Sequence, residues 1–169
     1  ALNARFCIVT GQRGVGKTTA LIQYIEKHVP DALSSQKVLY IPCDHFRLQS
    51  RPLYDIAEEF VHRNGALLCI DEIHKMPDWS TTLKSLYETF PELKVLASGS
   101  SALRIRQGAQ DLARRTLFTH LPGLSLREYA ELRLGIELGR IQLEQVYRDH
   151  ESLVPPLLRT IEAAGEKIL

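Results

Sequence analysis

The stretch RFCIVTGQRGVGKTTALIQYIEK, residues 5–27, joins a short apolar run to an amphipathic one through a loop with three glycines. Residues 5–10 read as a strand buried on both faces, and residues 16–27 read as a helix. The loop between them, GQRGVGKT at 11–18, fits the pattern G-x-x-x-x-G-K followed by Ser or Thr. Gly11, Gly14 and Gly16 permit backbone angles that a side chain would forbid, so successive N–H groups can turn toward an anion beside the positive end of the helix. A tight turn accounts for the glycines but not for Lys17 or Thr18. In such a loop the lysine reaches the β and γ phosphates of a nucleotide, and the threonine hydroxyl ligates the magnesium that bridges them. The candidate cofactor-binding residues are therefore Gly11, Gln12, Arg13, Gly14, Val15, Gly16, Lys17 and Thr18, with Thr19 beside them.

Outward from this loop the chain keeps one rhythm. Further apolar runs at 37–43, 66–70, 93–98 and, less clearly, 115–120 alternate with helical stretches, the signature of a parallel sheet with helices on both faces. After the second run, Leu53, Ile56, Ala57, Phe60 and Val61 fall on one helical face, and Asn64 with Gly65 supplies a stop. After the third, Trp79, Leu83, Leu86, Tyr87 and Phe90 form an apolar stripe behind Pro77 and Asp78. The predicted fold is α/β, with a five-stranded, mainly parallel sheet flanked by helices.

Beyond residue 120 the rhythm changes. Ser125 and Glu128 have capping-box spacing, and that helix is expected to close near Gly135. Two more helical stretches are expected, at about 140–150 and from 156 onward. This divides the chain into a nucleotide-binding domain over 1–135 and, over 136–169, the start of a helical lid or a linker to a further domain. A start at Ala1 close to a strand, and an apolar end at Ile168 and Leu169, give the expectation of a fragment of a longer protein.

The third run ends in Asp71 and Glu72, which places two carboxylates at the carboxyl edge of the sheet, where open α/β folds bind ligands. An Asp there can hold magnesium, directly or through water, and the adjacent Glu can activate a water aimed at the γ phosphate. The bland alternative is that Glu72 opens a solvated loop toward His74 and Lys75. The fourth run ends in Ser98, which could contact the γ phosphate if its strand lies between the other two; Ser98, Gly99, Ser100 and Ser101 could equally be a loop and a helix cap. Asp44 and His45 follow the second run at the same edge, as site lining or as a turn.

Composition narrows the function less than these motifs do. Twenty-one Lys and Arg against 20 Asp and Glu give a net charge of +1, which neither demands nor excludes a nucleic-acid partner. Three cysteines, Cys7, Cys43 and Cys69, lack C-x-x-C spacing and read as buried free thiols of a reducing compartment. No apolar run is long enough to span a bilayer, so a cytoplasmic protein with no membrane partner is expected. Six histidines show no ligand spacing for a bound zinc, and the absence of an N-K-x-D guanine-reading motif favours ATP over GTP.

Taken together, GQRGVGKTT (11–19), LLCIDEIHKMPDWSTTLKSLYE (67–88), KVLASGSSAL (94–103), DLARR (111–115) and LPGLSLREY (121–129) resemble a family of prokaryotic AAA-type ATPases. In that family the ATPase module precedes a C-terminal domain of poorly understood, nuclease-like character. The resemblance implies a P-loop NTPase sheet in which the strand ending at Ser98 lies between those carrying the loop and the acidic pair. It implies ATP and Mg2+ as cofactors, with Lys17 on the phosphates, Thr18 and Asp71 on the metal, Glu72 as the water-activating base and Ser98 as γ-phosphate sensor. Relatives often carry Thr at the Ser98 position. Arg114 and Arg115 fall where the family has a basic residue that can touch the γ phosphate of the same or a neighbouring subunit, which implies a homo-oligomer. With Arg104 and Arg106 nearby, a nucleic-acid backbone contact and a solvated surface are the alternatives. The expected function is an ATP-hydrolysing module that drives an attached domain or a neighbouring subunit. The alternatives are a P-loop kinase of a small molecule and a nucleotide-gated nucleic-acid-binding module.

Overall fold

Continuous apolar runs suit strands of a covered parallel sheet, and each of the five runs becomes a parallel strand, the inner ones buried and the edge strands partly exposed. The computed structural model describes residues 4–29, 31, 35–48, 51–99, 112 and 114–165. Its strands are β1 (Phe6–Thr10), β2 (Val38–Pro42), β3 (Leu67–Asp71), β4 (Lys94–Gly99) and β5 (Thr116–His120). Among the described residues they form one sheet in the order β2-β3-β4-β1-β5, with every adjacent pair parallel. The α/β expectation is met, and β4 does lie between the loop strand β1 and the acidic strand β3.

Alternation along the strands decides which helix each side chain meets. Phe6, Ile8, Leu68, Ile70, Val95 and Ala97 form one core with α2 (Leu53–His62) and α3 (Trp79–Thr89). Cys7, Leu67, Cys69 and Leu96 face the other way and pack on Leu21 of α1 (Lys17–His28). All three cysteines are buried free thiols; burial pushes those of Cys43 and Cys69 up to about 12. The stop after α2 uses Asn64 in the left-handed region (φ 64°), with the Gly65 N–H donating to the Phe60 carbonyl at 2.9 Å.

Because the sheet is parallel, its edges are chemically unlike. The carboxyl edge gathers the phosphate loop after β1, Asp44 after β2, Asp71 with Glu72 at β3, and Ser98 with Gly99 at the end of β4. The stretch before β5 lies at the opposite edge, since Thr116 pairs with Phe6 while His120 pairs with Thr10.

The chain divides into two compact units, residues 1–123 and 124–169. In the second, α4 (Leu126–Leu134) begins with the expected capping box: Ser125 Oγ accepts from the Glu128 N–H at 3.2 Å, and Glu128 Oε2 accepts from the Ser125 N–H at 2.8 Å. It ends at Gly135, left-handed with φ 65°. The break expected between 150 and 156 falls instead at Asp149 (φ −126°, ψ 21°), inside α5 (Leu143–Gly165). There the Asp149 carbonyl accepts from the Ser152 hydroxyl at 2.8 Å, and Pro155 and Pro156 lie beyond the break within the second helical stretch. No helix of the described residues is long and apolar enough to cross a membrane.

Candidate functional site

The loop after β1 is built by two different uses of glycine. Gly14 (φ 81°) and Gly16 (φ 97°) take left-handed angles, as the motif requires. Gly11 does not; a Cβ there would stand 2.5 Å from the carbonyl oxygen of Leu121, so this glycine permits close backbone approach. Gly11→Ala is therefore expected to destabilise the chain by about 1–3 kcal/mol, the usual range for overpacking. A thermal melt matching wild type would show that the segment after β5 can give way freely.

Gly16 begins α1 with no side-chain cap, and the first turn of the helix holds no acidic residue. The leading N–H groups and the helix dipole are thus left available to an anion. Lys17 is only 5% exposed. Its ammonium donates to the carbonyls of Gly11 (3.2 Å) and Gln12 (2.9 Å), so the cation lies folded across the loop. Thr18 follows, and its hydroxyl donates to Asp71 Oδ2 at 2.7 Å, bringing together the two residues expected at the metal.

Asp71 is the best-connected group of the site. Oδ2 also accepts from the Tyr40 hydroxyl at 2.8 Å, and Oδ1 accepts from Ser98. Burial raises the carboxyl pKa, but the hydrogen bonds from Ser98, Thr18 and Tyr40 outweigh it and hold Asp71 below its ordinary value. The carboxylate is therefore ionised at neutral pH. Ser98 is fully buried. Its hydroxyl donates to Asp71 and accepts from the Glu72 N–H at 3.0 Å, so it joins the two acidic residues. Ser98 lies within β4, which extends to Gly99; Ser100 and Ser101, invoked in the cap alternative, lie outside the described residues.

Glu72 leaves the strand with φ 54° and ψ 43°, an uncommon region for a side-chain-bearing residue. It begins the 3-10 turn Ile73–Lys75, and Glu72 Oε2 stands 3.3 Å from Nε2 of the buried His74. A cleft of about 630 Å³ opens above these groups, lined among others by Arg13, Lys17, Thr18, Asp44, Asp71 and Glu72, with Gly14, Gly16, Thr19 and Lys75 completing it. Val15 Cγ1 stands 3.1 Å from the position a Gly11 Cβ would take.

The two arginines are not part of this assembly. Arg114 (φ 68°, exposed) and Arg115 precede β5, at the amino edge of the sheet and away from the loop. Arg115 pairs with Glu88 of α3 at 2.9 Å. The geometry therefore gives neither arginine a phosphate of its own chain. Arg104 and Arg106 lie outside the described residues. Tyr40 and His74, in contrast, were not singled out by the sequence for the roles they occupy beside the two carboxylates.

A lysine-bearing phosphate cradle with a Thr–Asp pair at a strand end can grip a polyphosphate and its counter-ion. A family model described as an AAA domain matches residues 3–130, a span that includes the whole sheet and every cleft residue. No curated protein matches the chain. With most of its length matched and the loop residue Thr18 bonded to Asp71 at the end of the acidic strand, the chain belongs to the AAA-domain family of nucleotide-binding ATPases.

Proposed function

We propose that residues 1–123 bind Mg-ATP in this cleft and hydrolyse it, passing the change of nucleotide state to an attached domain or a neighbouring subunit. One observation carries the reading: the Thr18 hydroxyl rests on Asp71 at 2.7 Å, in the same cleft as Lys17 and Glu72. The residues fit the cofactor. The uncapped start of α1 and the Lys17 ammonium suit the phosphates, and the oxygens of Thr18 and Asp71 suit a hard divalent cation. Magnesium bound there would neutralise phosphate charge and orient the γ phosphate. The protein's own part is to hold the phosphates with Lys17 and the loop N–H groups, to fix Asp71 through Ser98, and to present Glu72 to a water. Ser98 is then a link between the acidic residues that turns toward the γ phosphate only if it gives up one of its present bonds.

Water as the nucleophile separates this reading from a small-molecule kinase. Phosphate release from ATP with no added acceptor is expected, and release only on addition of an acceptor would bring the kinase forward. Placed at the far edge of their own sheet, Arg114 and Arg115 suit contact with the nucleotide of a neighbouring copy rather than their own. A further domain after the ATPase module, of nuclease-like character, is the finer form of this proposal.

Asp71→Asn provides the second test. Loss of the charge beside Thr18 is expected to raise the magnesium needed for half-maximal ATP binding about tenfold, on the scale of one charge-assisted hydrogen bond. An unchanged magnesium titration would remove Asp71 from the metal.

A further inference from the structure

Neither the phosphate loop nor the acidic pair accounts for the hydroxyl of Tyr40. Tyr40 pairs with Cys69 across β2 and β3, and Pro42 pairs with Asp71, so Tyr40 and Asp71 are diagonal neighbours. Strand alternation puts both on the α1 face, together with Ser98, which follows Leu96 at the same parity. The phenol crosses the diagonal and donates to Asp71 Oδ2 at 2.8 Å. That oxygen also receives Thr18 at 2.7 Å, while Ser98 occupies Oδ1. Three hydroxyls from β2, α1 and β4 thus converge on one carboxylate.

A tyrosine kept for packing alone has no need of that bond. Tyr40 sits on an edge strand and is 38% exposed, yet its hydroxyl is held on the carboxylate.

We propose that Tyr40 is a positioning residue for the metal carboxylate, engaging one side of Asp71 Oδ2 so that the remaining side faces Thr18 and the nucleotide's magnesium. This rests on the reading of Asp71 as the magnesium carboxylate. A carboxylate turns readily about its last torsion, and donors fixed on separate elements remove that freedom before the cation arrives. Aromatic rings have only two side-chain torsions, so the phenol holds its position at low entropic cost.

Tyr40→Phe deletes the hydroxyl and keeps the ring. Binding of a fluorescent N-methylanthraniloyl ATP is measured in EDTA and across a magnesium titration, with a thermal melt of each variant. The expected result is an unchanged affinity in EDTA and a magnesium requirement raised about three- to tenfold, the scale of one hydrogen bond. Introduced into Asp71→Asn, the same change is expected to add no further shift, because its effect runs through the carboxylate. Equal losses of affinity in EDTA and in magnesium would mean that Tyr40 only supports the fold. A wild-type magnesium requirement in Tyr40→Phe, beside a raised one in Asp71→Asn, would overturn the role of Tyr40 and leave Asp71 at the metal. An unchanged requirement in Asp71→Asn would overturn the underlying metal assignment itself.

Discussion

Lys17→Ala is expected to lower Mg-ATP affinity by about 100-fold or more, since two charge-assisted contacts at about 1.5–3 kcal/mol each are lost and each 1.4 kcal/mol is a factor of ten. The ammonium is already desolvated by its surroundings, 5% exposed and bonded to the carbonyls of Gly11 and Gln12. A phosphate entering the loop therefore meets a cation that needs little further dehydration, only a change of partner. Arg13 and Lys75 also line the cleft but are exposed, so water screens their charge and they replace little of what Lys17 supplies. Removal of Lys17 also leaves two loop carbonyls without their donor, so some of the loss comes from a looser loop. Calorimetric titration with Mg-ATP, paired with a thermal melt, separates the two contributions. Equal affinity in wild type and variant would remove Lys17 from the phosphates and leave it a structural tie within the loop.

The sheet was legible because five apolar runs punctuated by amphipathic stretches leave few arrangements that bury both faces. The phosphate loop was legible because its chemistry is local: one strand, one turn and one helix start contain all of it. Lateral relations were harder to read. Tyr40 approaches Asp71 only because β2 pairs with β3 in a register that sets Pro42 against Asp71, and nothing in the sequence of β2 states its neighbour or its register. Gly11 reads as a motif glycine, yet its need comes from Leu121, which arrives beside it through the pairing of β5 with β1. The arginines teach a different lesson. Their closeness in sequence to a strand said nothing about the nucleotide, but strand direction does: residues that precede a parallel strand stand at its amino end, away from the loop. The place of Ser98 at the carboxyl edge follows from its position at the end of an apolar run, while its bonds to both acidic residues depend on β3 and β4 being adjacent. His74 follows Glu72 by only two residues, and it comes alongside because a tight 3-10 turn folds that short stretch back on itself.

Adjacent carboxylates with different tasks should fail differently, and Glu72→Gln is expected to uncouple hydrolysis from binding. Asp71 points into the Thr18, Tyr40 and Ser98 hydroxyls, whereas Glu72, left-handed at its backbone, lines the same cleft with its carboxylate beside His74. Its main-chain N–H is fixed on Ser98 at 3.0 Å, so the substitution leaves the backbone anchor in place. Glutamine keeps nearly the same shape and a hydrogen-bonding oxygen, but it cannot take a proton from water. Affinity for Mg-ATP should stay within about threefold of wild type, because a contribution confined to the transition state does not enter ground-state binding. Hydrolysis should fall by about 10²- to 10⁴-fold, the usual worth of a general base. Incubation with radiolabelled ATP and magnesium, followed by separation of protein from free nucleotide, should then recover bound ATP from Glu72→Gln and mostly ADP from wild type. Asp71→Asn should instead recover little of either unless magnesium is raised. A Glu72→Gln protein that hydrolyses at the wild-type rate would exclude Glu72 as the base. It would also weaken the assignment of water as nucleophile, and an acceptor hydroxyl would become the better explanation of the cleft.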